Sequence, residues 1–121
     1  MCKKKVLIVE DEYLVSYLLE SYVNDSDCSS VIGTVDNGED AINFVEKQKP
    51  DCILMDVRID GNQDGIETAH KINAKYSIPI IYTSGNTDEK TTERAKQTNM
   101  LAFLPKPVVK EQLQKIICSI S

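Results

Sequence analysis

The chain has 121 residues, of which 41% are hydrophobic and 27% are charged, and its formal net charge is −5. This is the size of one ordinary domain with enough apolar residues for a core, which excludes an intrinsically disordered chain. The negative charge argues against direct DNA binding, and we interpret Lys3-Lys4-Lys5 as a solvated flank. No apolar run approaches the ~20 residues that cross a membrane, and no signal peptide is recognisable, so we expect a cytoplasmic protein.

The four cysteines are scattered along the chain and have no CxxC spacing. They are Cys2, Cys28, Cys52 and Cys118. Metal-binding and redox cysteines are usually closely spaced, and thiols in the cytosol are usually reduced. We therefore expect four reduced thiols, without a disulfide or a zinc site.

Short apolar runs alternate with longer segments of helical periodicity. The runs predict strands at 6–9, 31–35, 53–55, 78–83 and 101–104. Most lack polar alternation, as is typical of strands that are buried on both faces. Apolar stripes with helical spacing predict four helices: Val15, Leu18, Leu19 and Tyr22; Ala41, Ile42 and Val45; Ile66, Ala69 and Ile72; Leu113, Ile116, Ile117 and Ile120.

A fifth helix is predicted at 87–98, where only Thr91 and Ala95 could face inward, so we expect it to be weakly anchored. Five strands and five helices in alternation predict an α/β fold, in which a doubly wound, five-stranded parallel sheet carries helices on both faces. We find no linker or repeat and expect residues 1–121 to form one domain.

Polar residues that suit phosphate chemistry follow the predicted strands. Glu10 and Asp11 follow the first strand, Asp56 the third, Ser84 the fourth and Lys106 the fifth. In the strand order 2-1-3-4-5 these residues meet at the carboxyl edge of the sheet. Three converging carboxylates would repel one another unless a hard cation such as Mg²⁺ joined them. With a hydroxyl and an ammonium group nearby, they could support phosphoryl transfer onto an aspartate.

Each of these residues also has a simpler interpretation. The acids at 10–12 could cap the following helix, Ser84 could cap the fourth helix, and Lys106 could be a solvated charge. We expect Asp51 to cap or solvate the entry to the third strand, Asp64 to act in a turn and cap, and His70 to be a surface residue. The conjunction of the acidic pair, Asp56, Ser84 and Lys106 at consecutive strand ends favours a common site.

Five motifs then resemble the receiver domain of two-component response regulators: VLIVEDE, ILMDV, DGIE, PIIYTSG and FLPKP. The resemblance extends over essentially the whole chain and implies the flavodoxin-like strand order 2-1-3-4-5. It also implies that Asp56 is the phosphoacceptor and that Asp11 and Asp56 bind Mg²⁺ directly. Glu10 would act through water, and the main-chain carbonyl of Arg58 would be a further ligand.

The same resemblance assigns the remaining roles. Lys106 would pair with the phosphoryl group, its bond to Pro107 would be cis, and Ser84 would grip the phosphoryl group and pull its loop inward. Phe103 stands where many members carry Tyr, so a switch through rotation of this ring would lack a hydroxyl. Asn86, like Arg58, occupies a position that tunes the phosphoryl lifetime in the family.

The loop after Asp56 departs from the family pattern. It reads RIDGNQDG, which is one residue longer than the common form and carries Asp60 in place of the usual proline. This change affects the expected mobility of the loop and not the chemistry.

The resemblance implies a phosphorylation switch that is not an enzyme in its own right. A sensor histidine kinase or a histidine phosphotransfer protein would donate the phosphoryl group. The fourth helix, fifth strand and fifth helix would form the output surface for a protein target or for a phosphorylation-dependent homodimer. Because no effector region follows Ser121 in this sequence, we expect a single-domain receiver.

Three alternatives remain open at this point. A degenerate receiver would act as a phosphorylation-independent interaction module, although the complete set of acids and Lys106 argues against it. An aspartyl phosphatase usually needs a second acid where this chain has Arg58. A flavin-binding domain is disfavoured because the acids after the first strand would repel a phosphate.

Overall fold

The computed structural model describes residues 3–59, 61 and 63–120, so the expectations for Cys2 and Asp60 lie outside the described residues. Five strands and five helices alternate in this part of the chain, as predicted. The strands are β1 (Lys4–Val9), β2 (Ser29–Val35), β3 (Cys52–Asp56), β4 (Ile80–Ser84) and β5 (Met100–Pro105). The helices are α1 (Tyr13–Asn24), α2 (Gly38–Lys47), α3 (Gly65–Asn73), α4 (Glu89–Lys96) and α5 (Lys110–Cys118).

The strands form one parallel sheet in the order β2-β1-β3-β4-β5, which confirms the predicted topology. The order reverses direction between β1 and β3, so the segments that follow these two strands leave toward opposite faces of the sheet. This reversal opens a crevice at the carboxyl edge, where ligands of such folds bind.

Successive residues of the central strands pack into two different cores, which explains why these strands lack polar alternation. One core contains Leu7, Val9, Ile53, Met55, Ile80 and Tyr82 together with residues of α2, α3 and α4. The other contains Val6, Ile8, Cys52, Leu54, Ile81 and Leu104 together with residues of α1 and α5. In the part of the chain that is described, no helix combines the length and apolarity needed to cross a bilayer.

The buried face of α1 differs from the predicted stripe. Ser16, Leu19 and Val23 are its buried residues, whereas Leu18 is 46% exposed. Ser16 can face inward because its hydroxyl donates a hydrogen bond to the carbonyl of Tyr13 at 2.9 Å, which satisfies the polar group. The inclusion of Leu18 in the inward stripe was therefore wrong, and an apolar patch remains on the surface of this helix.

Helix α4 buries a single side chain, Ala95, which confirms the predicted scarcity of apolar anchors. Polar contacts hold it instead. Arg94 Nη2 lies 2.9 Å from Asp64 Oδ2, and the Tyr82 hydroxyl lies 2.7 Å from Thr98 Oγ1 just beyond the helix. The other oxygen of Asp64 accepts a hydrogen bond from the Glu67 amide at the start of α3.

The cysteines correct the expectation of reduced thiols. Cys28 and Cys118 form a disulfide with a Cα–Cα distance of 5.7 Å, although they are 90 residues apart in sequence. The end of α5 returns to the connection between α1 and β2, so the fold creates a proximity that sequence spacing does not reveal. Cys52 is a buried free thiol in β3.

The Tyr82–Thr98 contact predicts a measurable contribution to stability. The Thr98 hydroxyl donates to the carbonyl of Ala95 at 2.6 Å, so the Tyr82 hydroxyl donates to Thr98. Thr98→Val leaves a buried donor without its acceptor and should lower the free energy of unfolding by about 1–3 kcal/mol. Urea denaturation measures this change.

Tyr82→Phe is the matched control, because it removes the donor and should cost less. The double variant should then be more stable than the sum of the two single changes predicts. Strictly additive effects would show that the two hydroxyl groups do not interact.

Candidate functional site

The predicted site residues lie at the carboxyl edge of the sheet. A cavity of about 520 Å³ opens there, and its lining includes Asp11, Asp56, Arg58, Ser84 and Lys106. Four different strand ends contribute these residues because parallel strands present their carboxyl ends on one side. The strand order, more than any single loop, therefore assembles the site.

Three carboxylates meet at the crevice between β1 and β3. One oxygen from each of Glu10, Asp11 and Asp56 lies within 4.8 Å of the others. Glu10 and Asp56 are buried and Asp11 is half-buried. A set of carboxylate oxygens at this separation has the chemistry that Mg²⁺ prefers, so the residues fit such an ion.

Lys106 supplies the positive charge that faces these acids. Its Nζ lies 3.1 Å from Glu10 Oε1 and 3.1 Å from Asp56 Oδ2. Burial lowers the pKa of Lys106, but the attraction of Asp56 and then Glu10 outweighs it and leaves this pKa above its usual value. The amine therefore stays protonated, and it bridges the two carboxylates.

Glu10 has a strongly perturbed pKa. Burial, as the largest cause, raises the pKa of Glu10 to about 7, and the neighbouring Asp56 carboxylate contributes in the same direction. Hydrogen bonds from the Glu12 amide and from Lys106 act in the opposite direction. Without a cation other than Lys106, the site thus holds more negative charge than it can readily bear.

The backbone around Asp56 is tightly packed. The Arg58 amide donates to Asp56 Oδ1 at 3.2 Å, and the Gly65 amide donates to the Val57 carbonyl at 2.7 Å. A Cβ atom at Gly65 would overlap the carbonyl oxygen of Asp56. Asp64-Gly65 was predicted from sequence as a turn and helix cap, and this close packing is a second reason for glycine that was not predicted.

The hydroxyl of Ser84 is engaged with the backbone of the next loop. It donates to the carbonyl of Asn86 at 2.7 Å and accepts from the Asn86 amide at 3.0 Å. The N-cap of α4 is Asp88, so the capping alternative for Ser84 is wrong. Ser84 borders the cavity with a hydroxyl whose present acceptor is a loop carbonyl.

Phe103 lies on β5 and does not line the cavity. Its half-buried ring packs against the core, with its centroid 6.0 Å from that of Tyr82. Tyr82 is fully buried and also reaches Thr98, so it joins Phe103 to the end of α4. Tyr82 was not among the predicted site residues, although a tyrosine inside an apolar strand needs a hydrogen-bond partner.

The simpler interpretations of the other polar residues are resolved by their contacts. Asp64 forms a capping box with Glu67 at the start of α3, as expected. Asp51 accepts a hydrogen bond from the Lys5 amide at 2.7 Å, and His70 is exposed. At α1 the N-cap Glu12 makes no side-chain cap bond. Of the acids at 10–12, Glu10 contacts the start of α1, because its carboxylate accepts a hydrogen bond from the Glu12 amide at 3.1 Å.

The Lys106-Pro107 peptide bond is cis, as the resemblance implied. The contacts described above do not involve the main-chain carbonyl of Arg58, so its role as a metal ligand stays a prediction.

Similar proteins of known structure share this architecture. The signal receiver domain of a modulated diguanylate cyclase from Desulfovibrio desulfuricans G20 is 35% identical, with a TM-score of 0.88 over 98% of this chain and 93% of that chain. The response regulator domain of CheB from Thermotoga maritima is 27% identical, with a TM-score of 0.84 over 94% of this chain and 93% of that one.

Curated relatives are longer than this chain. A protein-glutamate methylesterase/protein-glutamine glutaminase of Syntrophus aciditrophicus (strain SB) is 37% identical over 108 residues, which is 87% of this chain and 31% of that protein. The transcriptional regulatory protein PdtaR of Mycobacterium tuberculosis is 32% identical over 104 residues, 86% of this chain and 50% of that protein. This chain thus spans half or less of these two relatives.

The family match agrees with the fold and with the acidic crevice. The profile of the response regulator receiver domain matches residues 6–118, which is nearly the whole chain. The chain therefore belongs to the response regulator receiver domain family.

Proposed function

We propose that residues 1–121 form one receiver domain that works as a phosphorylation switch, with Asp56 as its phosphoacceptor. One observation carries this proposal: the Asp56 carboxylate lies 3.1 Å from Lys106 Nζ and within 4.8 Å of the oxygens of Glu10 and Asp11. A nucleophilic carboxylate, an acidic metal site and an ammonium group are thus adjacent. They border a cavity that can admit a phosphoryl group.

Receiver domains generally bind Mg²⁺ at an acidic pocket, and we infer the same for this chain. Asp11 and Asp56 would hold the ion directly, Glu10 would act through water, and the carbonyl of Arg58 would complete the set. Bound there, Mg²⁺ would neutralise the charge that spreads over the phosphoryl oxygens during transfer.

The side chains of the site would divide the transfer among them. An oxygen of Asp56 attacks the phosphorus of a phosphohistidine, the P–N bond breaks, and the imidazole nitrogen leaves with the bonding electron pair. Lys106 then exchanges an Asp56 oxygen for a phosphoryl oxygen. The Ser84 hydroxyl, which now donates to Asn86, turns to donate to the phosphoryl group.

We infer that the response passes from Ser84 to α4. The loop that Ser84 braces leads directly into α4, which buries only Ala95 among its described residues. A helix with so few apolar anchors costs little to displace. Phe103 would repack with this movement, and α4, β5 and α5 would present the changed surface.

The phosphodonor would bind at α1, beside the acids. Tyr13 and Leu14 are each 78% exposed and Tyr17 is 64% exposed, and Tyr13 borders a second cavity with Glu10 and Asp11. An exposed apolar patch of this kind marks a protein-binding surface. We propose a sensor histidine kinase or a histidine phosphotransfer protein as the donor.

An unidentified protein, or a second phosphorylated copy, would read the output surface, without direct DNA binding. The cytoplasmic location and the absence of an enzymatic activity beyond self-phosphorylation and dephosphorylation belong to the same proposal.

The first prediction of this proposal concerns the phosphoacceptor. Asp56→Asn should abolish phosphorylation by acetyl phosphate with Mg²⁺, because the amide is not a nucleophile at neutral pH. Intact-mass spectrometry should show one added phosphoryl group on the wild-type protein and none on the variant. Asp51→Asn, which makes the same change at the other end of β3, should remain phosphorylated. Phosphorylation of Asp56→Asn at the wild-type rate would refute the assignment.

The second prediction concerns Lys106. Lys106→Met should slow phosphorylation by roughly 100-fold, since one preorganised charge is lost. Binding of Mg²⁺, measured by calorimetry, should persist or tighten because the competing ammonium is gone. Lys110→Met is the control, because Lys110 pairs with the distant Asp25. A Lys106→Met protein with unchanged phosphorylation would argue against this role.

The third prediction concerns Glu10 in the metal-free protein. Because its folded-state pKa is raised from 4.5 to about 7, folding favours its protonated form. The stability that the protonated Glu10 side chain contributes is fully present below pH ~4.5 and is lost as pH rises through ~7. Between pH 5 and 8 the free energy of unfolding of the wild-type protein should therefore fall by about 1–3 kcal/mol relative to that of Glu10→Gln.

Urea denaturation across this pH range measures the difference. Glu12→Gln, at an exposed neighbour, should follow the wild-type curve. Parallel curves for the wild-type protein and Glu10→Gln would show that the pKa of Glu10 is not raised.

A further inference from the structure

The disulfide lies in a line of contacts along one face of α5, away from the phosphorylation site. Lys110 pairs with Asp25, Gln114 Nε2 donates to the carbonyl of Tyr22 at 2.8 Å, and Cys118 is bonded to Cys28. The three α5 residues are spaced by four, so they lie on one stripe of the helix. We call this line of contacts the α5 seam.

The α5 seam would hold the two sulfur atoms close together even when they are not bonded. Leu113 and Ile117, next to the seam, are fully buried and fix α5 on the sheet. The Cα–Cα distance of 5.7 Å lies inside the range that a disulfide requires. The reduced cysteines would therefore keep a high effective concentration for each other, which permits repeated closure.

Both cysteines can be reached from solvent. Cys118 is exposed and Cys28 is half-buried, and the hydroxyl of Ser26 lies 3.1 Å from the sulfur of Cys28. Cys52 contrasts with them, because burial and the neighbouring Asp51 raise the pKa of its thiol to about 12. Once reduced, this accessible pair would therefore react with a small oxidant, which would spare the buried thiol of Cys52.

We propose that Cys28 and Cys118 are a reversible redox modification site that exchanges with low-molecular-weight disulfides of the glutathione class. One cysteine thiolate attacks the small disulfide, forms a mixed disulfide and releases one small thiol. The other thiolate attacks the protein sulfur of the mixed disulfide and releases the second small thiol. The two cysteines lose two electrons and two protons, and the small disulfide gains them.

Closure would fasten the C-terminal end of α5 to the start of β2. The two cysteines are 90 residues apart, and the segment between them includes most of the sheet. A disulfide that closes so long a loop should raise stability substantially. In the reduced form, the polar contacts of the α5 seam and the buried Leu113 and Ile117 would hold the helix alone. Oxidation would thus suppress fraying of α5 without touching Asp56. The chemistry is independent of the proposed phosphorylation.

The test uses the purified full chain in buffers of stepped ratios of oxidised to reduced glutathione. After acid quenching and alkylation, intact mass and peptide mapping report the state of each cysteine. We expect Cys28 and Cys118 to lose their alkyl labels together over a range of ratios, while Cys52 keeps its label. Reduction should lower the melting temperature by ~5 °C or more. It should also speed amide hydrogen exchange at the end of α5.

Control variants separate this pair from other thiols. Cys28→Ser and Cys118→Ser should each abolish the joint loss of alkyl labels, whereas Cys2→Ser and Cys52→Ser should retain it. Asp56→Asn should also retain it, so failure of the phosphorylation proposal would leave this one intact. Independent labelling of the two cysteines, a bond that stays closed at every ratio, or one that never forms would each overturn the proposal. Mapping the wild-type protein decides this even where a variant does not fold.

Discussion

The arrangement of the site depends on the charge balance between Lys106 and the acids of the β1–β3 crevice. One ammonium group lies 3.1 Å from both Glu10 and Asp56, and Asp11 adds a third carboxylate at the mouth of the crevice. Breaking a buried ion pair by removing one partner is costly, because it leaves a charge without compensation. The excess negative charge is the physical reason why this crevice suits a further cation. Because of this excess negative charge, any group that adds charge to the crevice would alter the contact between Asp56 and Lys106.

The same balance explains why the fold places these residues at strand ends. A charged group inside either core would lose its hydration without compensation, whereas the carboxyl edge offers backbone amides and water. Asp56 is the last residue of a strand whose other side chains are all buried. The sheet therefore holds the Asp56 carboxylate in place, while this side chain lines the cavity. The loop after β4 lies against the same cavity, and two hydrogen bonds between Ser84 and Asn86 brace it.

The strand order 2-1-3-4-5 was implied by the resemblance to the receiver family. Given that order, periodicity and strand-end chemistry were enough to predict the element order and the convergence of Glu10, Asp11, Asp56, Ser84 and Lys106 from sequence. They succeed because buried parallel strands and their polar termini produce local patterns. Contacts between distant segments leave no such pattern. The Cys28–Cys118 bond, the Arg94–Asp64 pair and the Tyr82–Thr98 contact all join residues whose proximity arises only in the folded chain. The misplaced Leu18 has a different cause, since a serine that satisfies its own hydroxyl can replace a leucine on the inward face of α1.

Asp64 divides its two oxygens between two helices. Oδ1 accepts the Glu67 amide that begins α3, and Oδ2 binds Arg94 of α4. The two duties are separable, because either oxygen can lose its partner without disturbing the other. Loss of the Arg94 contact would therefore leave the capping box of α3 in place, and it need not disturb Gly65 or the carbonyl of Asp56. Asp64 in this way connects the two helices without tying the start of α3 to the position of α4.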